Sequence, residues 1–447
     1  MKLRGHEVAW AAGSLGTGAL FNGLALFGLF YMTSVLGLSA ATAGTLLFAA
    51  RLYDGVTDPI MGAISDRTRH KAGSRRVYLL PGAILLGLSF ALLFNLPRLD
   101  DTAMVLLVLG ALLLYSTSYT IFTVPYLAMP PRLAPGYDDR TRLMSARVAF
   151  LIIGVLIGSS GGPLLVEMAG EGARGFSALG IGLGLVAIIA GGIAFFGTRD
   201  RDDTSPDPAA KRAAPWRQLG SVFAHAPFRL LTLVKLLQLA VLALILACTP
   251  YFFRFVLQRE TSDITWYLLT FSLSGLLSLP LWRMVIARFG KRNVYLFSIL
   301  AYAIGVASWW LWVPGEGDVA FYARALFIGV ASNGTLVCAL ALLPDTMEYD
   351  RLQSGEDRNG IMSGVFTTVE KVAGALGPLI VGVLLETRGF VSGAAVDAQP
   401  ESAIVAVHLG ISVVPAVLCL LTVPLLLAYK LGHAELESAR QARLARG

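Results

Sequence analysis

Twelve stretches of about 20 mainly apolar residues run through the chain, and each is long enough to cross a lipid bilayer as a helix. A backbone inside a bilayer must satisfy its own hydrogen bonds, so stretches of this length predict transmembrane helices. The composition agrees, because the chain is 55% hydrophobic and 15% charged, with a mean hydropathy of +0.68. We therefore predict an all-α, polytopic membrane protein whose spans lie at residues 8–36, 41–64, 77–96, 104–129, 144–166, 176–197, 228–257, 264–287, 294–313, 319–343, 361–385 and 404–431.

Basic residues are concentrated in every second loop, as in 67–76, 199–217 and 288–292, whereas the intervening loops are nearly bare. Cytoplasmic loops carry an excess of Lys and Arg, so both termini are predicted to be cytoplasmic. We expect a multi-pass protein of the bacterial inner membrane. Its net charge of +7 then reflects topology, and nothing in the sequence is typical of nucleic-acid binding.

The chain uses a six-helix unit twice. The pattern DRxxxMS begins at Asp139 and again at Asp357, and the pair GP recurs from 162 to 377, at similar offsets of 218 and 215 residues. Many secondary transporters are built from such repeats, with the site between the halves. We predict an N-terminal bundle (1–197), a cytoplasmic linker (198–227), a C-terminal bundle (228–433) and a cytoplasmic tail (434–447).

Asp54 and Asp58 lie near the middle of the second apolar stretch, where inserting a carboxylate costs about 2.5 to 3.5 kcal/mol. A spacing of four residues places both side chains on one helical face, so two ionised carboxylates repel unless a proton or a metal cation relieves them. Thr57 adds a hydroxyl oxygen, and Pro59 frees a backbone carbonyl. Oxygen ligands at a broken helix in mid-membrane are typical of a site for a coupling Na⁺ or H⁺.

Other charged side chains in the spans have open interpretations. Arg51 precedes Asp54 by three residues, so a structural ion pair is the alternative to an ion site for that carboxylate. Lys371 is expensive inside a span unless it is paired, and Glu370 beside it points about 100° away around the helix. Lys235 lies about two turns from the cytoplasmic end of its span and is expected to snorkel.

The sequence resembles the major facilitator superfamily, whose fold has twelve transmembrane helices in two six-helix bundles. Gly62-x-x-x-Asp66-Arg67 is similar to its signature loop. Residues 50–62, 119–126 and 345–360 resemble more closely the glycoside-pentoside-hexuronide:cation symporters, the melibiose permease group, and the related sodium-dependent lysolipid carriers.

The resemblance assigns roles to individual positions. In that family acids of the second helix hold Na⁺, Li⁺ or H⁺, which implies a cation site formed by Asp54, Asp58, Thr57 and Thr120. The corresponding solute site contains Tyr119, Thr123, Arg147, Thr367 and Lys371, with Asn22 either lining the cavity or bonding between helices.

The solute side also departs from the melibiose pattern. Acids that hold sugar hydroxyls in melibiose-type members are replaced here by Gly18 and Thr123, and an aromatic residue is replaced by Leu127. A galactoside held by paired carboxylates is therefore not expected. Arg147 and Lys371 would suit a carboxylate or phosphate on the solute.

Charged residues at the cytoplasmic helix ends are expected to form an inner gate through salt bridges. The predicted gate residues are Asp66, Arg67, Arg140, Asp345, Glu348 and Arg358.

These patterns predict a secondary active transporter that couples entry of Na⁺ or H⁺ to symport of a small polar solute, such as a sugar, glycoside or uronate, by alternating access. A sodium-dependent lysolipid or other amphiphile transporter is the alternative. A membrane enzyme is not expected, because no His, Cys or Ser constellation suits catalysis. We expect a monomer in the bilayer with a solute and a monovalent cation as partners, and no cofactor besides the coupling ion.

Overall fold

The computed structural model describes residues 4–68, 70, 75–134, 137–199, 222–313, 315–355 and 358–444, and these residues form helices and no strands. The first half contributes α1 Gly5–Phe30, α2 Ala40–Arg67, α3 Leu79–Leu93, α4 Asp101–Leu127, α5 Pro130–Leu133, α6 Tyr137–Leu156, α7 Gly162–Met168 and α8 Ala173–Gly197. The second half contributes α9 Ala226–Tyr251, α10 Thr261–Leu277, α11 Leu279–Phe289, α12 Lys291–Ala307, α13 Asp318–Ser354, α14 Asn359–Thr387, α15 Glu401–Ile411, α16 Val413–Ala428 and α17 His433–Leu444.

Ten helical stretches of the described chain are long and apolar enough to cross a membrane, and α10 with α11, bent by 46° at their junction, makes an eleventh. The remaining predicted span is α2, which has 28 residues but carries Asp54, Asp58 and Arg51. The prediction of an all-α, polytopic membrane protein is confirmed.

The two repeats share local irregularities as well as sequence. Each first helix ends in a wide π turn, Tyr31–Val35 after α1 and Phe252–Leu257 after α9. Each next helix follows a residue with positive φ, Gly37 at +80° before α2 and Gln258 at +52° before α10. Glycine adopts that conformation freely, whereas glutamine is strained in it. Both repeats therefore have the same backbone conformation at this point, although only the first has a glycine there.

The contacts divide the chain into two compact units, and the first comprises the described parts of Met1–Lys211, Phe253–Trp266 and Pro378–Ala403. Within this unit α1 packs along α6 and α8, and α3 packs along α8. Close approach depends on glycine, because a Cβ at Gly154 would meet the backbone of Leu15.

The second unit comprises the described parts of Arg212–Phe252, Tyr267–Gly377 and Ile404–Gly447. Its core packs α12 against α13 and α16, and α9 against α16. A buried polar chain crosses this core, since Tyr295 donates to Gln238 Oε1 at 2.5 Å and Gln238 Nε2 donates to Thr335 Oγ1 at 2.8 Å. Lipid tails are as apolar as the side chains of a helix, so burial of apolar side chains does not drive helices together in a membrane. Hydrogen bonds between helices, as in this chain of residues, help to hold them together. The division into bundles, linker and tail stays a prediction.

Candidate functional site

The two acids of α2 occupy different environments. Asp54 is buried at 4% exposure, and Asp58, one turn further along, accepts a hydrogen bond of 2.8 Å from Thr120 Oγ1 of α4. Thr57 Oγ1 lies 3.4 Å from Thr120 Oγ1. The structure therefore brings all four residues of the predicted cation site to the interface of α2 and α4, which are packed against each other.

Arg51 meets only part of the charge of Asp54. Its guanidinium lies 3.4 Å from Asp54 Oδ2 and stacks 4.6 Å from the ring of Phe21. Asp54 Oδ1 is buried and has no hydrogen-bond donor. A buried carboxylate oxygen without a donor is costly unless it is protonated or meets a cation, so this atom fits a small cation or a proton.

The helix is continuous at Pro59, so the predicted break is wrong. α2 runs from Ala40 to Arg67 through the proline. Proline still supplies no N–H to the carbonyl of Gly55, and a Cβ at Gly55 would meet no atom within 4 Å. Gly55 thus lies beside open space, one turn before the proline on the site helix.

The predicted solute residues are placed unevenly. Arg147 Nε is buried without a hydrogen-bond partner, which suits a group that awaits a ligand, whereas the Thr123 hydroxyl lies beside Tyr119. Thr367 is exposed on α14, and its hydroxyl donates to Ser363 O at 3.0 Å. Asn22 donates to a carbonyl of its own helix at 3.3 Å, so its described bond joins no other helix.

Gly18 lies in a helix contact and not in open space. A Cβ built at Gly18 would lie 2.7 Å from the carbonyl oxygen of Leu151 on α6. The position where melibiose-type members carry an acid is thus filled by the neighbouring backbone.

An ion pair between a buried lysine and an exposed glutamate links α9 and α14. Lys235 Nζ lies 2.8 Å from Glu370 Oε1 and 4.2 Å from the ring centroid of Phe366. Lys235 is only 2% exposed, so the expectation that it snorkels is wrong. Sequence inspection missed the pair, although both charges lie a similar number of residues into their predicted spans, seven for the lysine and nine for the glutamate.

The predicted gate residues make ion pairs within their own units. Arg75 Nη2 lies 3.0 Å from Asp66, Lys291 Nζ lies 2.6 Å from Asp345, Arg440 Nε lies 2.8 Å from Glu348, and Arg358 Nη2 lies 2.6 Å from Asp350. Hydrogen bonds to Glu348 and Glu437 raise the pKa of Arg440 in the tail helix. Arg67 and Arg140 are exposed. Whether these residues form the inner gate stays a prediction.

Two carboxylates join the sequence repeats inside the first unit. Glu167 Oε2 accepts from the backbone N–H of Ser262 at 2.6 Å, and Glu386 Oε2 accepts from the backbone N–H of Ala41 at 3.3 Å. Ser262 and Ala41 are both second residues of their helices, α10 and α2. Each carboxylate therefore caps the N-terminus of a helix from the other repeat, where a negative charge is favourable.

Further contacts accompany the Glu167 cap. Thr261 Oγ1 donates to Glu171 Oε1 at 2.7 Å, and Thr265 Oγ1 donates to Ser160 O at 2.6 Å. No group of three or more His, Cys, Asp or Glu suited to a metal ion occurs in the described ranges.

Comparison with known proteins gives a consistent family. The model of the family described as MFS/sugar transport protein matches residues 9–433. The putative glycoside/cation symporter YagG of Escherichia coli (strain K12) is 26% identical over 97% of this chain and 93% of its own length. The isoprimeverose transporter of Lactiplantibacillus pentosus is 24% identical over 86% of this chain and 81% of its own.

A solved structure supports the fold alone. A variant of the nucleoside transporter NupG superposes with a TM-score of 0.69 at 13% identity, covering 95% of this chain and all of that one.

Proposed function

The chain belongs to the MFS/sugar transport protein family, a family of membrane transporters rather than enzymes, and from that premise we propose that it couples a monovalent cation to the symport of a small polar solute. The solute class is a sugar, glycoside or uronate, and the cation is Na⁺ or H⁺. A solute of this class agrees with the names of the similar symporters.

The observation that carries the proposal is the acid pair of α2, in which Asp54 is buried and Asp58 is half-buried. Asp54 Oδ1 has no donor, Asp58 accepts from Thr120, and the hydroxyl oxygen of Thr120 keeps lone pairs for a cation. A site formed by oxygen ligands alone is suited to Na⁺, and its carboxylates can equally bind a proton. The negative charge of the two carboxylates is unfavourable in an empty site once closure excludes water. Cation binding therefore favours closure, and closure favours cation binding.

The two carboxylate caps provide a means of closing the transporter at its outer end. We assign Glu167 and Glu386 as an outer latch, because each holds the N-terminus of a helix from the other repeat. Opening that end separates the repeats and exposes two helix N-termini to water. The loaded protein then alternates between states by breaking and reforming these caps.

The latch is tested by Glu167→Gln with Glu386→Gln. Each change removes a charge that stabilises a helix N-terminus by about 0.3 to 2 kcal/mol, so the double variant should shift the population towards the state open at this end by about 3- to 800-fold. A cysteine at Thr265, which is buried beside the Glu167 cap, reports opening through maleimide labelling, and the native cysteines Cys248, Cys338 and Cys419 are buried. Unchanged labelling would remove the latch assignment.

The function itself is tested in proteoliposomes with imposed Na⁺ or pH gradients. The probes are isoprimeverose, D-glucuronate and lysophosphatidylcholine. We expect one of the first two to be accumulated against its gradient under one cation gradient. Uptake of lysophosphatidylcholine alone would replace the polar-solute proposal by the amphiphile alternative, and uptake of a polar probe indifferent to both gradients would contradict symport.

A further inference from the structure

We propose that Glu370 is a solute-binding residue that accepts hydrogen bonds from the hydroxyl groups of a neutral sugar, with Lys235 as the positioning residue that fixes its carboxylate. This inference rests on the proposed function and specifies the solute at one point of the same site. Its basis is the surface of α14 and the ion pair to α9.

The exposed face of α14 around Glu370 is polar. The exposed residues on this part of the helix are Ser363, Gly364, Thr367, Thr368 and Glu370. By contrast, exposed positions along α8 are apolar, as at Ile181, Leu185 and Ile189. A lipid-facing surface in mid-membrane is apolar, so a polar exposed face borders water.

Glu370 lies deep enough for this distinction to matter. It is eleven residues from the start of α14, which corresponds to about 16 Å along the helix axis. A carboxylate at that depth is tolerated where it borders water or pairs with a cation, and Glu370 pairs with Lys235 and is exposed among polar residues. A Cβ at Gly364, six residues earlier on α14, would also meet no atom within 4 Å, which shows open space beside this part of the helix.

The ion pair orients the carboxylate and leaves acceptor capacity. Lys235 is 2% exposed and held over Phe366, whereas the side chain of Glu370 is 47% exposed. The buried lysine contacts Oε1 at 2.8 Å, and an ionised carboxylate has about four acceptor positions. The contact with the lysine holds the carboxylate in place, so little entropy is lost when a solute binds.

An oriented carboxylate selects for hydroxyl groups. It accepts charge-assisted hydrogen bonds from one or two neighbouring hydroxyls and repels a carboxylate, phosphate or sulfonate. Thr367 lies one turn before Glu370 on the same face and adds a hydroxyl. We therefore infer that the solute presents a hydroxylated ring, and no anionic group, to this part of α14.

The test measures isoprimeverose uptake and cation dependence separately in the reconstituted full chain. Glu370→Gln should raise the KM for isoprimeverose about 10- to 100-fold, as expected for losing a hydrogen bond to a charged group, and leave unchanged the cation concentration for half-maximal uptake. Glu437→Gln, which alters a carboxylate of the tail helix, is the matched control and should keep the wild-type KM. An unchanged KM in Glu370→Gln would overturn the proposal while leaving symport intact.

A second variant guards against misfolding, because Glu370→Gln leaves Lys235 buried and unpaired. The double change Lys235→Met with Glu370→Met removes both charges, so it should insert normally and still lose affinity for isoprimeverose. A wild-type KM in the double variant would overturn the assignment. If Asp58→Asn keeps full cation dependence while Glu370→Gln loses affinity, the coupling site fails and Glu370 stands. If the wild type takes up D-glucuronate but not isoprimeverose, symport stands and the Glu370 assignment falls, and if it takes up neither, both proposals fall.

Discussion

Asp58→Asn is expected to abolish gradient-driven accumulation, so that the solute reaches no more than its equilibrium concentration inside proteoliposomes. The carboxylate accepts from Thr120 and supplies half of the negative charge that a coupling cation neutralises. An amide keeps the size and the acceptor oxygen but carries no charge, so cation binding no longer offsets any repulsion with Asp54. Uptake of isoprimeverose and D-glucuronate under Na⁺ and pH gradients measures the effect.

Exchange of solute should persist in this variant, because equilibrium exchange needs the solute site and the conformational change but no net cation movement. Asp397→Asn, an exposed acid of the loop before α15, is the control and should accumulate solute like the wild type. Full gradient dependence in Asp58→Asn would show that the acid pair of α2 is not the coupling site.

Thr120→Ala should have a smaller effect of the same kind. It removes a hydroxyl oxygen that the proposal assigns to the cation, a loss of about 1.5 to 3 kcal/mol, and so weakens cation binding by about 10- to 150-fold without eliminating it. The concentration of cation that gives half-maximal uptake reports the change. Equal half-maximal concentrations in Thr120→Ala and wild type would exclude Thr120 from the cation site.

The acids of α2 were identifiable from the sequence because their types are improbable in a membrane span, and the helical period then put them on one face. The partner of Lys235 could not be identified from the sequence. A helix that is apolar almost all round carries little information on its rotation, so the sequence gives the depth of a charge but not the neighbour it meets. Depth alone favoured snorkelling for Lys235, whereas the packing of α9 and α14 directs it to Glu370.

The same reasoning explains why the carboxylate caps were not foreseen. Glu167 and Glu386 stand near the ends of apolar spans, where solvated acids are common and mean little. Their role depends on which helix begins beside them. Ala41 and Ser262 hold matching places at the start of the second helix of each repeat, but only the three-dimensional arrangement brings a carboxylate from the other repeat to each.

The absence of an acid at Gly18 has a steric reason that predicts a large effect. Gly18→Asp should fail to create a galactoside site and should destabilise the protein strongly. A Cβ there meets the carbonyl oxygen of Leu151 at 2.7 Å, and overpacking against backbone costs about 1 to 3 kcal/mol. The carboxylate adds about 2.5 to 3.5 kcal/mol for burial at this depth.

An alanine substitution separates the steric cost of Gly18→Asp from the cost of burying its carboxylate. Gly18→Ala should lower the thermal unfolding midpoint in detergent through the steric term alone, and Gly18→Asp should lower it further. Gly110→Ala is the matched control, because a Cβ at Gly110 meets no atom within 4 Å, and alanine there should leave the midpoint unchanged or raise it slightly by its better helix propensity. A stable Gly18→Asp variant that binds melibiose would show that α1 and α6 separate readily, and that glycine at this contact reflects solute choice and not packing.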